Sequence, residues 1–299
     1  MIIYKIAKAV KNIEGGVLNV YRFVLSLGKI VILSKFNLVF PKASHSNCIV
    51  LGNGPSLKDT IRMHRDTLER AVLFAVNNFP TSNEFMEFKP ANYIVLDPAF
   101  FLHKERSDIN ATFNVLKNEV TWPINFFVPY MYRKDKDVIE LKNKNGFVKI
   151  CFFNYTILKG PASWIYPLFK TNLAMPQFYN IMGAAIYVAM NSGYKNVWLV
   201  GADHSWFENI QVGDDNILYI KDKHFYDADS EKIKPVPMIE LISNKKVRME
   251  DLFWALSVVF KSYKILFEYS AYLKSTIINA SEFSYLDTFT RKNLKEYDK

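Results

Sequence analysis

The run Asn47-Cys48-Ile49-Val50-Leu51-Gly52-Asn53-Gly54-Pro55-Ser56-Leu57-Lys58-Asp59-Thr60 narrows the choice of fold more than any other stretch, because it joins a short apolar strand to a glycine-rich turn and then a helix. Gly52 and Gly54 can take backbone angles a side chain forbids, and without Cβ atoms they let a phosphate approach the main chain. The free N–H groups of the helix start add positive potential for an anion. Asn53 and Ser56 supply side-chain donors, and Pro55 stiffens the turn. The pattern lacks the Gly-Lys-Ser/Thr of a Walker loop, and Leu57 stands where a dinucleotide fingerprint has its third glycine. A phosphate cradle is the functional reading; a tight turn without ligand is the structural one.

Later strands extend the pattern. Val72–Val76 ends at Asn77-Asn78, Tyr93–Leu96 at Asp97-Pro98, and Val197–Val200 at Gly201-Ala202-Asp203-His204. Spacings of about 20 residues with helical or looped connections predict βαβ units and a parallel sheet. The fold class expected is therefore α/β: a Rossmann-like, GT-A-like, mostly parallel sheet flanked by helices. Asn53, Asn77, Asn78, Asp97 and Asp203-His204 then share the carboxyl edge of the sheet, where open α/β folds bind ligands. For Asp97-Pro98 alone, a turn-forming role is the simpler explanation. Asn180 to Ser192 reads as a helix of small residues closed by Gly193, and Met249 to Lys274 as a long amphipathic helix before a last strand at Thr276–Asn279.

With 299 residues, half of them apolar, one principal domain is the default. We divide the chain into a basic amphipathic segment, 1–44, and a nucleotide-binding α/β domain, 45–299, with an insertion at about 100–178 and a lid at about 207–247. Cys48 and Cys151 lie in apolar runs and read as buried thiols. The net charge is +9, and residues 1–42 hold seven Lys/Arg against Glu14 alone, a local +6. On a helical wheel Lys5, Lys8, Lys11, Arg22 and Lys29 share one sector, and Ile6, Val10, Ile13, Val17, Val20, Val24, Leu27 and Val31 oppose them. Such a segment suits an anionic membrane surface; the alternative is a helix packed on the protein's own core with a solvated lysine face. Gly15-Gly16 is expected to break it in two. No stretch reaches about 18 uncharged apolar residues, the length of a membrane span. Nucleic acid is not an expected partner, because the body has no excess charge. The expected location is cytoplasmic, peripheral on the inner face of the cytoplasmic membrane.

Candidate bases are His204, beside Asp203, and His224, in Lys223-His224-Phe225-Tyr226-Asp227; a histidine oriented by a carboxylate is the usual general base for a hydroxyl. His45, His64 and His103 read as surface residues. Tyr219, Tyr226, Arg248 and Lys245-Lys246 are candidates to neutralise a leaving phosphate. Asp203, Asp214, Asp215 and Asp227 could hold Mg²⁺, although a solvated acidic loop is the commoner explanation of Asp214-Asp215, and no zinc cluster or Asp-x-Asp is present.

Ile49–Leu57, an asparagine ending the second strand, a residue-Pro pair ending the third, Met182-Gly183, Gly193-Tyr194-Lys195 and Val197–Asp203 together resemble the bacterial CMP-sialic-acid sialyltransferases of family 42. The chain also looks like the wider superfamily of motility-accessory-factor glycosyltransferases and 6-hydroxymethylpterin diphosphokinase-like proteins. Gly201–Trp206, His224–Asp227, Ile278–Ser281 and Tyr285–Asp287 look closer to this last group. The resemblance spans about residues 47–290 and is poor over 100–175. It implies a glycosyltransferase of surface polysaccharide or lipopolysaccharide assembly, with a nucleotide-sugar donor, CMP-linked and sialic-acid-like or Kdo-like. The acceptor would be a glycan or lipid-linked, and no cofactor would be required. Of the family's nucleotide contacts, Asn53, Gly54, Ser56 and Asn77 or Asn78 carry over by the resemblance. Gly52, Asp97, Gly183 and Tyr226 join them as nucleotide or phosphate candidates by their places in this chain, and His204, His224 and Asp203 are its own candidates for catalysis. Before the long helix, where the sialyltransferases carry their base, this chain reads Asn244-Lys-Lys-Val-Arg-Met249 without histidine. The alternatives are a diphosphokinase with Mg²⁺ on Asp203 and Asp227, and a non-catalytic nucleotide-binding protein.

Overall fold

The computed structural model describes residues 2–227, 233–240 and 243–298, with side chains from residue 16 on. A long helix α1 (Ile2–Leu33) precedes β1 (Asn47–Leu51), α2 (Leu57–Arg70), β2 (Leu73–Val76), α3 (Asn83–Phe88), β3 (Asn92–Ile94), α4 (Ala99–Leu102) and α5 (Ser107–Asn118). Then come β4 (Ile124–Pro129), α6 (Lys136–Lys144), β5 (Val148–Phe153), α7 (Ala162–Lys170), α8 (Ile181–Ser192) and β6 (Asn196–Val200). The chain closes with β7 (Ile210–Val212), β8 (Leu218–Ile220), β9 (Val236–Pro237), α9 (Met249–Leu273), β10 (Thr276–Asn279) and β11 (Thr290–Arg291).

Eight strands form one sheet in the order β11-β10-β6-β1-β2-β3-β4-β5, with every neighbouring pair parallel. This is the Rossmann-like α/β architecture expected. From β1 the chain steps outward to β5, then crosses back through α7 and α8 to lay β6 on the other side of β1. Strand order thus reverses between β1 and β6, and their carboxyl ends splay the following loops apart into a crevice. Alternate residues of each central strand enter opposite cores: Cys48, Val50, Val197 and Leu199 pack toward α7, α8 and α9, whereas Ile49, Leu51, Trp198 and Val200 pack toward α2, α3 and α5. Both strands are buried on both faces, which is why each reads as an unbroken apolar run.

The small residues of α8 let it bury almost its whole circumference. Asn180 caps it, its side chain accepting from Met182 N at 2.6 Å, and Gly193 closes it at φ +105°. Both cysteines are free and buried.

Two expectations are corrected, those on the insertion and on Gly15-Gly16, and the elements of the region read as a lid are defined. The stretch read as an insertion, about 100–178, contributes β4 and β5 to the main sheet; its strands look isolated in sequence because short helices and polar loops separate them. The region read as a lid, about 207–247, holds a separate antiparallel sheet, β7-β8-β9, and residues 228–232 and 241–242 of it lie outside those described. Gly15-Gly16 does not interrupt α1, since a glycine costs a helix only about 1 kcal/mol relative to alanine. Within α1, Gly16–Leu33 is also long and apolar enough to cross a membrane by length and composition, with a mean hydropathy of 1.6. It contains Arg22 and Lys29, so it is not an uncharged run. Lys5, Lys8, Lys11, Ile6, Val10 and Ile13 lie outside the described side chains.

Candidate functional site

The site begins with two loops in contact. Gly52 N donates to Val200 O at 2.8 Å and Gly54 N to Gly201 O at 3.0 Å, which sews the loop after β1 to the loop after β6. A Cβ on Gly52 would sit 2.3 Å from Gly201 O, and one on Gly201 would sit 2.5 Å from Gly52 O. Gly201 also has φ +63°, whereas Gly52 and Gly54 keep ordinary negative φ. The glycines of the opening motif are therefore required by the neighbouring loop rather than by unusual backbone angles. A Cβ on Gly54 would meet Asp203 Oδ1 at 2.4 Å.

Asp203 takes the place a bound anion was expected to hold. Its Oδ2 accepts from Ser56 N at 2.9 Å and its Oδ1 from the Ser56 hydroxyl at 2.5 Å, so it fills the N-terminus of α2 as an internal carboxylate. Burial raises its pKa above the usual carboxylate range against the pull of those donors. Ser56 and Asp203 are both buried and both committed to the junction. They hold the strand ends together, and Asp203 also lines the cleft beside the junction.

Beside this junction opens a cleft of about 540 Å³. One wall carries Asn53 and Asn77 from the ends of β1 and β2; the other carries Lys221, Lys223 and His224 from the segment after β8. Tyr155, Phe178, Tyr179 and Trp206 supply aromatic surface, and Asn180 and Asn209 further amides. Phe225 N donates to Asn53 O at 3.0 Å and ties the two walls together. Asn53 Nδ2 donates to Val76 O at 3.2 Å, which fixes that amide. Its Oδ1 and the Oδ1 of Asn77 are buried, and among the described residues nothing donates to either. Unpaired buried acceptors cost about 1–3 kcal/mol each unless something donates to them. Asn77 adopts the left-handed conformation at φ +48°. That strain is tolerated most easily by Asn and is compatible with a functional position.

The two histidines differ sharply. His204, also left-handed at φ +57°, is buried between Trp206, Phe260 and Tyr263, and its Nε2 lies 2.6 Å from Tyr263 Oη. Burial lowers its pKa to about 4, against the pull of the Ala202 backbone. At neutral pH it is an uncharged hydrogen-bonding group. His224 is about 30% exposed at its side chain and lies parallel to the Tyr226 ring at 5.0 Å. Its Nε2 is 3.6 Å from Asp222 and its Nδ1 is 3.9 Å from Asp227.

Other residues singled out in sequence fall elsewhere. Asn78 turns away from the cleft, donating to Asp108 at 2.8 Å and accepting from Thr112 at 3.3 Å. Asp97 lines the cleft, but its Oδ1 accepts from Ala99 N at 2.8 Å, as a turn-former does. Gly183 makes room for Phe178: a Cβ there would lie 2.4 Å from that ring. Tyr226 backs His224 without lining the cleft. Tyr219 bonds Asp215 at 2.8 Å, and neither it, Arg248, Lys245 nor Lys246 lines the cleft. His64, read as a surface residue, is buried beside Glu282 at a kink in α2. Among the described residues no group of three or more His, Cys, Asp or Glu is placed to hold a metal. Of the pair named for Mg²⁺, Asp203 is satisfied by Ser56, and Asp227 Oδ2 accepts from His224 N at 2.6 Å. Sequence reasoning misses Lys221, which sits in an irregular segment with no motif, and takes Lys223 only as the neighbour of His224. It misses Tyr263 because apolar helical spacing marks that residue only as core.

No family model and no curated protein matches the chain in sequence. Among solved structures, the MAf glycosyltransferase from Magnetospirillum magneticum AMB-1 is similar with a TM-score of 0.48 and 12% identity, over 87% of this chain. The chain spans 36% of that protein's length. A likeness this distant says nothing about chemistry, which has to be read from the cleft.

Proposed function

We propose that the cleft binds a nucleotide-activated sugar and that the protein transfers the sugar to a glycan or lipid-linked acceptor in surface-polysaccharide or lipopolysaccharide assembly. The observation that carries this reading is the pairing of two walls across one crevice: unpaired Asn53 and Asn77 acceptors suit a ligand that brings donors, and Lys221 and Lys223 suit one that brings negative charge. A nucleotide has both, amine or hydroxyl donors at one end and phosphate at the other. The sequence resemblance points to a CMP-linked, sialic-acid-like or Kdo-like donor. Phosphate contact moves from the Gly52 to Ser56 turn, whose donors serve the junction, to the lysine wall.

In the reaction, the acceptor oxygen forms a bond to the anomeric carbon as the bond from that carbon to the donor phosphate oxygen breaks. The departing nucleotide keeps the electron pair, and Lys221 and Lys223 offset its charge. His224 takes the acceptor proton, and Asp222 and Asp227, 3.6 Å and 3.9 Å from its ring nitrogens, flank and orient the ring. His204 stays neutral at the edge of the cleft, held there by Tyr263.

Thermal shift with CMP, UDP, GDP, ADP and ATP, each with and without Mg²⁺, tests the ligand class. Stabilisation by CMP without metal is expected. Stabilisation by ATP only with Mg²⁺ would move the assignment to the diphosphokinase alternative, and none by any nucleotide would defeat every nucleotide-binding reading and leave a scaffold of the same fold. His224→Ala is expected to lower transfer about 10²–10⁴-fold, the usual range for loss of a general base. Full turnover in that variant would defeat the base assignment.

A further inference from the structure

Helix α1 touches the body along a narrow stripe. Phe23 packs on Trp164 at 5.2 Å and over Gly160, where a Cβ would lie 2.8 Å from it. Ser26 accepts from Lys159 N at 3.4 Å, and Ile30 is buried in the core. Just past the helix, Ser34 bonds Thr156 and Leu173, and Lys35 and Asn154 exchange two bonds of 2.8 Å. At about 100° per residue, Phe23, Ser26 and Ile30 span about 60° of the helix surface.

The rest of that surface is apolar and turned outward. Val17, Val24 and Val31, seven residues apart, are 68%, 60% and 73% exposed, and Ile32 is 81% exposed. Tyr21 and Leu25 continue the face, and Phe36 and Val39 extend it beyond the helix. A helix whose own core contact was the purpose of its apolar residues would bury this face. Monomeric proteins rarely leave so continuous an apolar strip in water.

Cations flank it. Arg22 and Lys29 lie about 20° apart on the wheel, between the contact stripe and the apolar face. They sit close enough to Lys159, on the body, to add to burial in depressing its ammonium pKa. Among the described residues none of the three is in an ion pair. Like charges held together without carboxylates, beside an apolar strip, complement a surface that is apolar within and anionic at its face.

We infer that the Val17–Ile32 face of α1, with Arg22, Lys29 and Lys159 at its flank, docks the domain on an anionic lipid surface, with the helix lying along the interface. Although Gly16–Leu33 is long enough to span, contacts from Phe23 to Lys35 hold the helix on the domain, and a helix held this way cannot cross a bilayer at the same time. Tyr155, which lines the cleft, lies next to the Asn154 and Thr156 that lock the end of α1. Docking therefore also fixes the cleft near the lipid.

Flotation of the full chain with vesicles of phosphatidylcholine alone, or mixed equally with phosphatidylglycerol, tests this without reference to catalysis. Binding to the anionic vesicles is expected, weakened in about 0.5 M salt by screening, and released by alkaline carbonate. Reversing Arg22, Lys29 and Lys159 to Glu should weaken it by about 100-fold or more, at about fivefold per cation. Val24→Asp with Val31→Asp should abolish it while leaving the thermal midpoint unchanged, since both positions are exposed. Three results would overturn the inference: equal binding to neutral vesicles, resistance to carbonate as a spanning helix shows, or a stable lipid-free dimer that the two Asp substitutions dissolve.

Discussion

The floor and the wall of the cleft are built on opposite principles. At the floor, the Gly52–Gly201 contact and the Ser56–Asp203 pair take up the N–H groups of Gly52, Gly54 and Ser56 within the protein. On the wall, Asn53 and Asn77 keep acceptors unpaired, and Lys221 and Lys223 line the cleft. A motif that looks like a binding loop can thus be the rigid base of a site whose binding groups come from less distinctive residues. Rigidity below and unsatisfied polarity above is the arrangement that pre-organises a ligand site.

The largest effect expected is at the floor. In Gly201→Ala, strain at φ +63° combines with a Cβ 2.5 Å from Gly52 O. Together they should cost about 4 kcal/mol in denaturant unfolding. A mild loss would show that the two loops are not locked together.

His204 should make stability depend on pH. Its folded pKa is lowered from 6.5 to about 4, so between those values the unfolded chain binds the extra proton. Its contribution, about 3 kcal/mol above the ordinary histidine pKa, is lost as pH falls toward the folded value. A denaturation series in His204→Gln should lack that slope.

Asp203→Asn comes next, because one of the two donors of Ser56 loses its acceptor. The expected loss is about 2 kcal/mol, the cost of one buried donor left unpaired. The raised pKa of Asp203 acts in the opposite sense to the lowered one of His204: its folded form holds a proton longer, so stability falls as pH rises from the ordinary carboxylate range to the raised value. The variant should remove that opposing slope as well.

The smallest effects belong to the wall. Lys221→Ala and Lys223→Ala should each weaken nucleotide binding by about 1 kcal/mol in calorimetry, with the thermal midpoint unmoved. If affinity held in both while Asp203→Asn abolished it, the binding role would return to the floor.

Much of the fold is legible in the chain. Strands buried on both faces announce themselves as unbroken apolar runs, and β1, β2 and β6 can be picked out this way together with their helices and turns. The outer strands β4 and β5 are recognisable as strands but not as members of this sheet, because pairing between segments distant in the chain leaves no local mark. Asn53, Asn77, His204 and His224 follow from the strand-end argument or from charge chemistry, and all line the cleft. Ser56 and Asp203 are equally visible, yet their partnership spans 147 positions. Only the reversal of strand order between β1 and β6 brings them together.

The sequence alone determined the parallel sheet, the glycine-rich turn and the amphipathic character of α1, because strand burial, chain reversal and helix periodicity are local properties. The tertiary structure decided what each was for. Whether the turn's donors face a ligand or a carboxylate, and whether an apolar helix face turns inward or outward, depends on what a distant segment leaves uncovered, and that quantity has no representation along the chain.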